Sequence, residues 1–239
     1  MTDDICEHLA WDSAFFGLRI GRVTRERLDA ESGRVVAAWA VEQNVDCLYF
    51  EADPSDPGTV RAAENLGFRL MDVRLTLSRA VGPVEDLSGR AAIRPSVPSD
   101  AGALRSIAGT AFLDTRFAVD PGFAGRAPEL YQTWVTRSLD GWADSVWVAE
   151  VEGEPAGFLT CHRGEPGGRI GLVGVDPRFR RHGVGTDLVR KALTWFAGIG
   201  SPTVRVTTQG LNAEAQRMYQ RCGFVTESLR LVYHRWKRR

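Results

Sequence analysis

The 239-residue sequence has no net charge: 30 Lys and Arg stand against 30 Asp and Glu. No global field draws it to nucleic acid or to an anionic membrane surface, so an anionic ligand must be held by local charge. The basic end, His234-Arg235-Trp236-Lys237-Arg238-Arg239, reads as a solvated terminus rather than an extended basic face. Long apolar runs are missing too. Nothing approaches the roughly 18 uninterrupted apolar residues of a membrane span, and the acidic start Met1-Thr2-Asp3-Asp4 leads into no apolar leader segment, so the expectation is a cytoplasmic protein. Cysteine is scarce and scattered. Cys6, Cys47, Cys161 and Cys222 form no C-x-x-C pair, and His8, His162, His182 and His234 stand equally far apart, so inert thiols and no metal site are expected. What is present, 44% hydrophobic and 25% charged residues, is the composition of a globular protein with a real core.

The clearest break is residues 80–98, where Gly82, Pro83, Gly89, Pro95 and Pro98 interrupt all periodicity. A linker at 81–90 divides the chain into residues 1–80 and 91–239. Behind it, Ser99-Asp100 caps a helix carrying Leu104, Ile107, Ala108 and Phe112, and a second helix runs through Tyr131, Trp134, Val135 and Leu139. Residues 146–175 switch to period two, with turns at Glu152-Gly153 and Pro166-Gly167, which predicts a three-stranded meander. Helical spacing returns at Val184, Leu188, Val189, Ala192, Leu193 and Phe196. A strand at 203–208, a short helix at 212–222 and a last strand at 225–233 complete an α/β (α+β mixed) pattern.

A shift of 156 residues superposes residues 47–50 on 203–206 and Leu66-Gly67-Phe68 on Cys222-Gly223-Phe224 without a gap. Each copy reads strand, short helix, Gly-Phe, strand.

The strongest local signal is residues 175–186, Val-Asp-Pro-Arg-Phe-Arg-Arg-His-Gly-Val-Gly-Thr, between a strand and an amphipathic helix. Gly183 and Gly185 allow a tight turn that presents successive backbone N–H groups as the helix begins. The helix dipole adds partial positive charge, and Arg178, Arg180 and Arg181 add full charges. Such a turn suits a diphosphate. It is neither a G-x-G-x-x-G fingerprint nor a Gly-Lys-Ser/Thr loop.

The wider span resembles the GNAT acyl-CoA N-acetyltransferase superfamily: Leu172-Val173-Gly174-Val175, then Arg180-x-x-Gly183-x-Gly185, then Thr208-Gln209-x-x-Asn212 and Tyr219-x-x-x-Gly223-Phe224. The resemblance implies a GNAT fold, a mixed central sheet with a splayed V between two parallel strands, preceded by a smaller degenerate GNAT-like half. Residues 172–175 would line the pantetheine arm of acetyl-CoA. The turn of Arg180, Arg181, His182, Gly183, Val184, Gly185 and Thr186 would hold its pyrophosphate. The family role of Tyr219 is the acid that protonates the departing thiolate, and that of Asn212 a contact to the pantetheine arm. Seven residues apart on a helix, the two return to nearly one face. Asn212 also suits a plain helix N-cap and Tyr219 a packing role. In the first copy Asp56 stands where Asn212 does and Ala63 where Tyr219 does, and no Arg-Gly turn precedes it, so acyl-CoA machinery is expected in the second copy alone.

Two further segments, Leu9 to Gly17 with Trp11, Phe15 and Phe16, and Thr115-Arg116-Phe117 with Asp120-Pro121, resemble the bacterial dTDP-fucosamine (dTDP-4-amino-4,6-dideoxygalactose) N-acetyltransferase group. The resemblance implies direct attack, in a ternary complex, of a nucleotide-linked sugar amine on acetyl-CoA, with no metal, and a homodimer with the last strand as an edge for pairing. Phe16 and Arg116 are the substrate-binding candidates. Core packing for Phe16 and a surface ion pair for Arg116 stand beside that reading, as do a GNAT enzyme for another amine and a non-catalytic acyl-CoA-binding regulator beside the function as a whole. No covalent role is expected of Cys222, which has no His-Asp pairing in the sequence.

Overall fold

The computed structural model describes residues 5–82 and 89–237. The chain folds as two compact units. One holds the residues up to Leu75 together with Val119–Ala124 and the chain from Leu229 onward; the other holds Thr76–Ala118 and Gly125–Ser228. The carboxyl-terminal strand end thus belongs with the amino-terminal residues, not with the 91–239 block expected from the linker. Most of that linker, residues 83–88, lies outside the described residues.

In the first unit, β1 (Cys6–His8) pairs antiparallel with β2 (Ile20–Val23), which pairs in parallel with β3 (Cys47–Ala52). Helix α1 (Ala10–Phe16) is stopped by Gly17 in the left-handed region, φ 68°. Helix α2 (Ala30–Glu42) starts at Asp29, whose carboxylate accepts the Glu31 and Ser32 N–H groups while the Ser32 hydroxyl accepts the Asp29 N–H. Helix α3 (Pro57–Asn65) is capped by Asp56 and leads into β4 (Arg69–Ala80). The core of this unit packs Val36, Leu48, Phe50, Ala63 and Phe68 around Tyr233.

In the second unit, β5 (Ala92–Pro95), β6 (Ser145–Val151), β7 (Glu154–His162) and β8 (Gly168–Val175) form an antiparallel meander, and β8 pairs in parallel with β9 (Thr203–Gln209). Helices α4 (Ala101–Ala111) and α6 (Ala127–Arg137) bury Leu104, Ile107, Ala108, Tyr131 and Val135 against Val146, Val148 and Phe158. Between them runs the short α5 (Arg116–Val119). Helix α7 (Val184–Gly198) follows β8, and α8 (Ala213–Arg221) and β10 (Val225–Trp236) close the chain.

The repeat read from the sequence is met residue by residue. A shift of 156 carries α3 onto α8 and β4 onto β10 with identical bounds, Asp56 onto Asn212 as side-chain caps, and Gly67 onto Gly223, both at φ 81°. The expected free edge is not met. β10 is an interior strand, flanked by β3 and β4, because its residues Leu231 to Trp236 pair with Ala52 to Cys47.

A polar knot lies inside the first unit. Asp120, 3% exposed, accepts hydrogen bonds from His234 Nδ1 at 2.6 Å, Trp236 Nε1 at 3.0 Å and the Gly122 N–H at 2.9 Å. Burial pushes the Asp120 carboxyl up, but these three donors outweigh it and hold it below its ordinary value. Replacing Asp120 with Ala strands buried donors and should cost about 3 kcal/mol or more of unfolding free energy in urea melts at pH 7. A carboxyl depressed in the fold stabilises above its unfolded value and loses that contribution as pH falls through the folded one. The gap between wild type and D120A should therefore shrink below about pH 4, near the ordinary Asp value.

Candidate active site

The second unit concentrates its open backbone where β8 leaves β9. The two strands pair over Gly168, Ile170 and the residue between them against Val204 to Val206, and beyond Ile170 and Val206 each runs on without the other. On the opposite side β8 stays on β7, through an irregularity. Ile170 pairs with Cys161 and Val173 with Leu159, so Gly171 and Leu172 together face the single residue Thr160, a β-bulge. The Thr160 hydroxyl accepts the Leu172 N–H at 2.8 Å, and the Asp176 N–H reaches the Ala156 carbonyl at 2.9 Å. By strand alternation the N–H groups of Val173 and Val175 point the other way, toward the side β9 has left. These two donors have no ladder partner in β9.

After β8 the backbone turns sharply. Arg181 at φ 69° and Gly183 at φ 87° are both left-handed, and Gly183 is the N-cap of α7. A Cβ at Gly183 would meet nothing within 4 Å, whereas one at Gly185 would lie 2.7 Å from Met218 Sδ. The first N–H groups of α7 thus open outward beside an exposed Arg180-Arg181-His182 segment. His182 Nδ1 contacts the Arg180 carbonyl at 2.7 Å, and Arg180 Nε donates to the Val175 carbonyl at 3.2 Å.

The charge at this turn is smaller than three free arginines would give. Arg178 is held by Asp176 and Glu154, and Arg181 by Glu214 at 2.5 Å. Arg180 makes no ion pair among the described residues. Asp176 lies two residues before Arg178, whereas Glu154 opens β7 and Glu214 lies in α8, both distant in sequence.

Asn212 and Tyr219 sit on α8. The Asn212 carbonyl oxygen caps the helix through the Ala215 N–H at 3.0 Å, so the capping role is met, and its side-chain NH₂ remains for a ligand. Tyr219 is 4% exposed, edge-on to Phe224 at 5.7 Å, and its hydroxyl makes no hydrogen bond to any described residue. Burial pushes its pKa above the ordinary phenol value, and Cys222 adds to the shift. Cys222 is itself buried, its thiol pushed up by burial, while its carbonyl accepts from Arg79 Nη1. A thiol held protonated in this way is no nucleophile.

Residues 111–224 match the family model described as acetyltransferase (GNAT) family. The chain carries a GNAT acetyltransferase domain. It is an acetyl-transfer enzyme, and GNAT acetyltransferases use acetyl-CoA as donor. A dTDP-fucosamine acetyltransferase of Escherichia coli O6:H1 is 29% identical over 230 residues, covering 93% of this chain and 94% of that protein. A spore coat polysaccharide biosynthesis protein of Bacillus subtilis is 29% identical over 143 residues, 59% of this chain and 50% of its own length. The crystal structure of a GCN5-related N-acetyltransferase from Sphaerobacter thermophilus shares the fold, with a TM-score of 0.73 at 17% identity over 97% of this chain and 76% of that one.

Within the GNAT domain the structure brings together Leu172, Val173, Gly174 and Val175 on the parting strand and Arg180 to Thr186 on the turn that follows it. Of the two substrate candidates, Arg116 lies in α5 with its guanidinium 4.4 Å from the Phe117 ring centroid. Phe16 is 9% exposed in the first unit, packed on Phe123 at 4.5 Å between centroids, which is the core position weighed against a substrate role. Sequence reasoning missed the bulge and the Thr160 and His162 side chains beside it. The available signal was Gly171 inside an otherwise apolar strand, a common mark of a bulge. Among the described residues there is no cluster of three metal-binding side chains, and no helix is long and apolar enough to cross a membrane.

Proposed function

We propose that this enzyme transfers acetyl from acetyl-CoA to the amine of a nucleotide-linked amino sugar of the dTDP-4-amino-4,6-dideoxyhexose type, by direct attack in a ternary complex. The observation that carries the donor half is the strand pair that opens beyond Ile170, next to a left-handed turn with free helix N–H groups. The support for the acceptor half is the likeness, along nearly the whole chain, to a dTDP-fucosamine acetyltransferase. The pantetheine arm lies along Val173 and Val175, and the pyrophosphate lies at the turn of Arg180 to Thr186, with Asn212 contacting the arm.

In this reading the sugar amine attacks the thioester carbonyl, and an outward N–H of β8 stabilises the oxyanion that forms. As the carbon–sulfur bond breaks, Tyr219 gives its phenolic proton to the thiolate. No acetyl-enzyme forms. The first 80 residues form a degenerate copy without acyl-CoA machinery, since Ala63 occupies the place of Tyr219. The reaction is placed in the cytoplasm, and the working form is a homodimer.

The test is release of free CoA thiol from acetyl-CoA across dTDP-amino sugars, UDP-amino sugars, aminoglycosides and peptides. Turnover with a dTDP-4-amino sugar at a kcat/KM at least about 100-fold above the other classes is the expected result. Preference for an aminoglycoside or a peptide would replace the acceptor, and acetyl-CoA binding without turnover on any amine would leave a binding protein.

A further inference from the structure

We propose that His162 is the group that takes the proton from the acceptor amine. This rests on the amine acetylation proposed above and adds the base which that reaction requires. The carbonyl carbon, the oxyanion donors and the thiolate acid are all accounted for on β8 and α8, while a proton leaving nitrogen has no acceptor among them.

The position of His162 follows from the bulge. It is the last residue of β7, and its partner across the ladder is Arg169 of β8. Gly171 is the first β8 residue beyond the point where β9 leaves. An added Cβ at Gly171 would lie 2.6 Å from His162 Nε2 and 2.6 Å from Thr160 Oγ1. The imidazole therefore lies over the backbone at the mouth of the opening, and only a glycine there leaves it room. Because Gly171 and Leu172 both oppose Thr160, the bulge turns them to one face, the face on which Leu172 packs against the core of α4 and α6.

The surroundings keep this imidazole neutral. His162 is 7% exposed, with the Trp142 ring edge-on at 5.2 Å. Burial lowers its proton affinity first, and the Arg169 guanidinium lowers it further; Asp144 and a hydrogen bond to the Trp142 backbone act in the opposite direction, and the net shift is downward. Asp144 is itself engaged, accepting the Arg163 N–H at 2.7 Å. Arg169 makes no ion pair among the described residues, so no carboxylate partner offsets the effect of its charge on the ring. A neutral imidazole that donates its one N–H to a backbone carbonyl keeps a lone pair on its other nitrogen.

The amine nitrogen bonds to the thioester carbon, and the carbonyl electron pair moves to oxygen. His162 takes one proton from the now cationic nitrogen. The oxyanion then re-forms the carbonyl, the carbon–sulfur bond breaks, and the sulfur takes the Tyr219 proton. The resulting imidazolium and phenolate return to neutral by exchange of a proton with water.

The experiment is the pH profile of kcat/KM by thiol release, using whichever panel amine the wild type acetylates, for wild type, H162Q and R169Q, with calorimetric acetyl-CoA binding alongside. H162Q should lose roughly 10²- to 10⁴-fold in kcat/KM, bind acetyl-CoA within about two-fold of wild type, and lose the acidic limb that the wild type shows below the ordinary imidazole value, about 6.5. Its residual rate should rise with pH toward the amine's own ionisation, near 10 for an alkylammonium such as Lys. In R169Q the acidic limb should move to higher pH, since removing a cation favours the protonated ring. A fully active H162Q with the wild-type limb overturns the proposal. If H162Q does not fold, an R169Q limb that stays in place overturns it instead. A wild type silent on every amine refutes the acetyl-transfer reading before any variant is compared, so the two failures are distinct.

Discussion

Replacing Tyr219 with Phe should lower kcat by roughly 10²- to 10⁴-fold while leaving acetyl-CoA affinity within about two-fold. The phenol ring is edge-on to Phe224 and almost wholly buried, so removal of one oxygen leaves the packing intact. What disappears is the phenolic proton of the side chain that α8 buries. Burial raises the phenol above its ordinary value, which keeps it protonated across the whole working range. The same burial makes it a weaker acid, so transfer to sulfur requires that the thiolate be equally short of water. A thiolate expelled into a dry site has its own basicity raised for the same reason, and the two shifts offset one another. The consequence is measurable: wild-type kcat should show no loss on the alkaline side from phenol ionisation below the ordinary phenol value, about 10. The check is steady-state thiol release with calorimetric acetyl-CoA binding on the same samples. A Y219F enzyme with unchanged kcat would remove Tyr219 from the role of acid, and one with lost binding but normal saturating turnover would make it a binding residue.

The parts of this site that were legible in the sequence are those with a local cause. Gly183 announces itself because a left-handed turn before a helix favours glycine, and the amphipathic spacing from Val184 to Phe196 needs nothing beyond the helix period. The repeat was legible because strand, helix, Gly-Phe and strand keep their order and length, down to Gly67 and Gly223 in the same left-handed conformation. The parts that were not legible depend on partners far along the chain. Arg181 reads as free charge until Glu214 folds against it, and Arg178 gains Glu154 in addition to its neighbour Asp176. His162 reads as an isolated histidine until the strand register slips at Thr160 and brings Gly171 under its ring. The terminal strand reads as an edge because nothing in residues 225–236 names β3 as its partner. Asp120 shows the same limit: its partners His234 and Trp236 lie more than a hundred residues away, and only the tertiary fold makes one buried knot of them.

Changing Gly183 to Val should weaken acetyl-CoA binding by about 100-fold while the protein remains folded. Two effects combine. A residue with a side chain at φ 87° costs about 1–2 kcal/mol, more when it is β-branched. About 1.4 kcal/mol is already tenfold in affinity if the turn relaxes to relieve the strain and misaligns its N–H groups. The second effect is steric. A Cβ at Gly183 meets nothing within 4 Å, so the added side chain stands in open space beside the N-cap of α7, where the pyrophosphate is proposed to sit. Gly185 offers the internal contrast. Its φ is not left-handed, and the atom its Cβ would meet is the Met218 sulfur, part of a flexible side chain rather than backbone. G185A should therefore bind acetyl-CoA several-fold more tightly than G183V. Thermal melts should place G183V within a few degrees of wild type, since a chain of this size shifts by about 2–4 °C per kcal/mol. Native acetyl-CoA affinity in G183V, measured by calorimetry, would show that the pyrophosphate is not held at this turn.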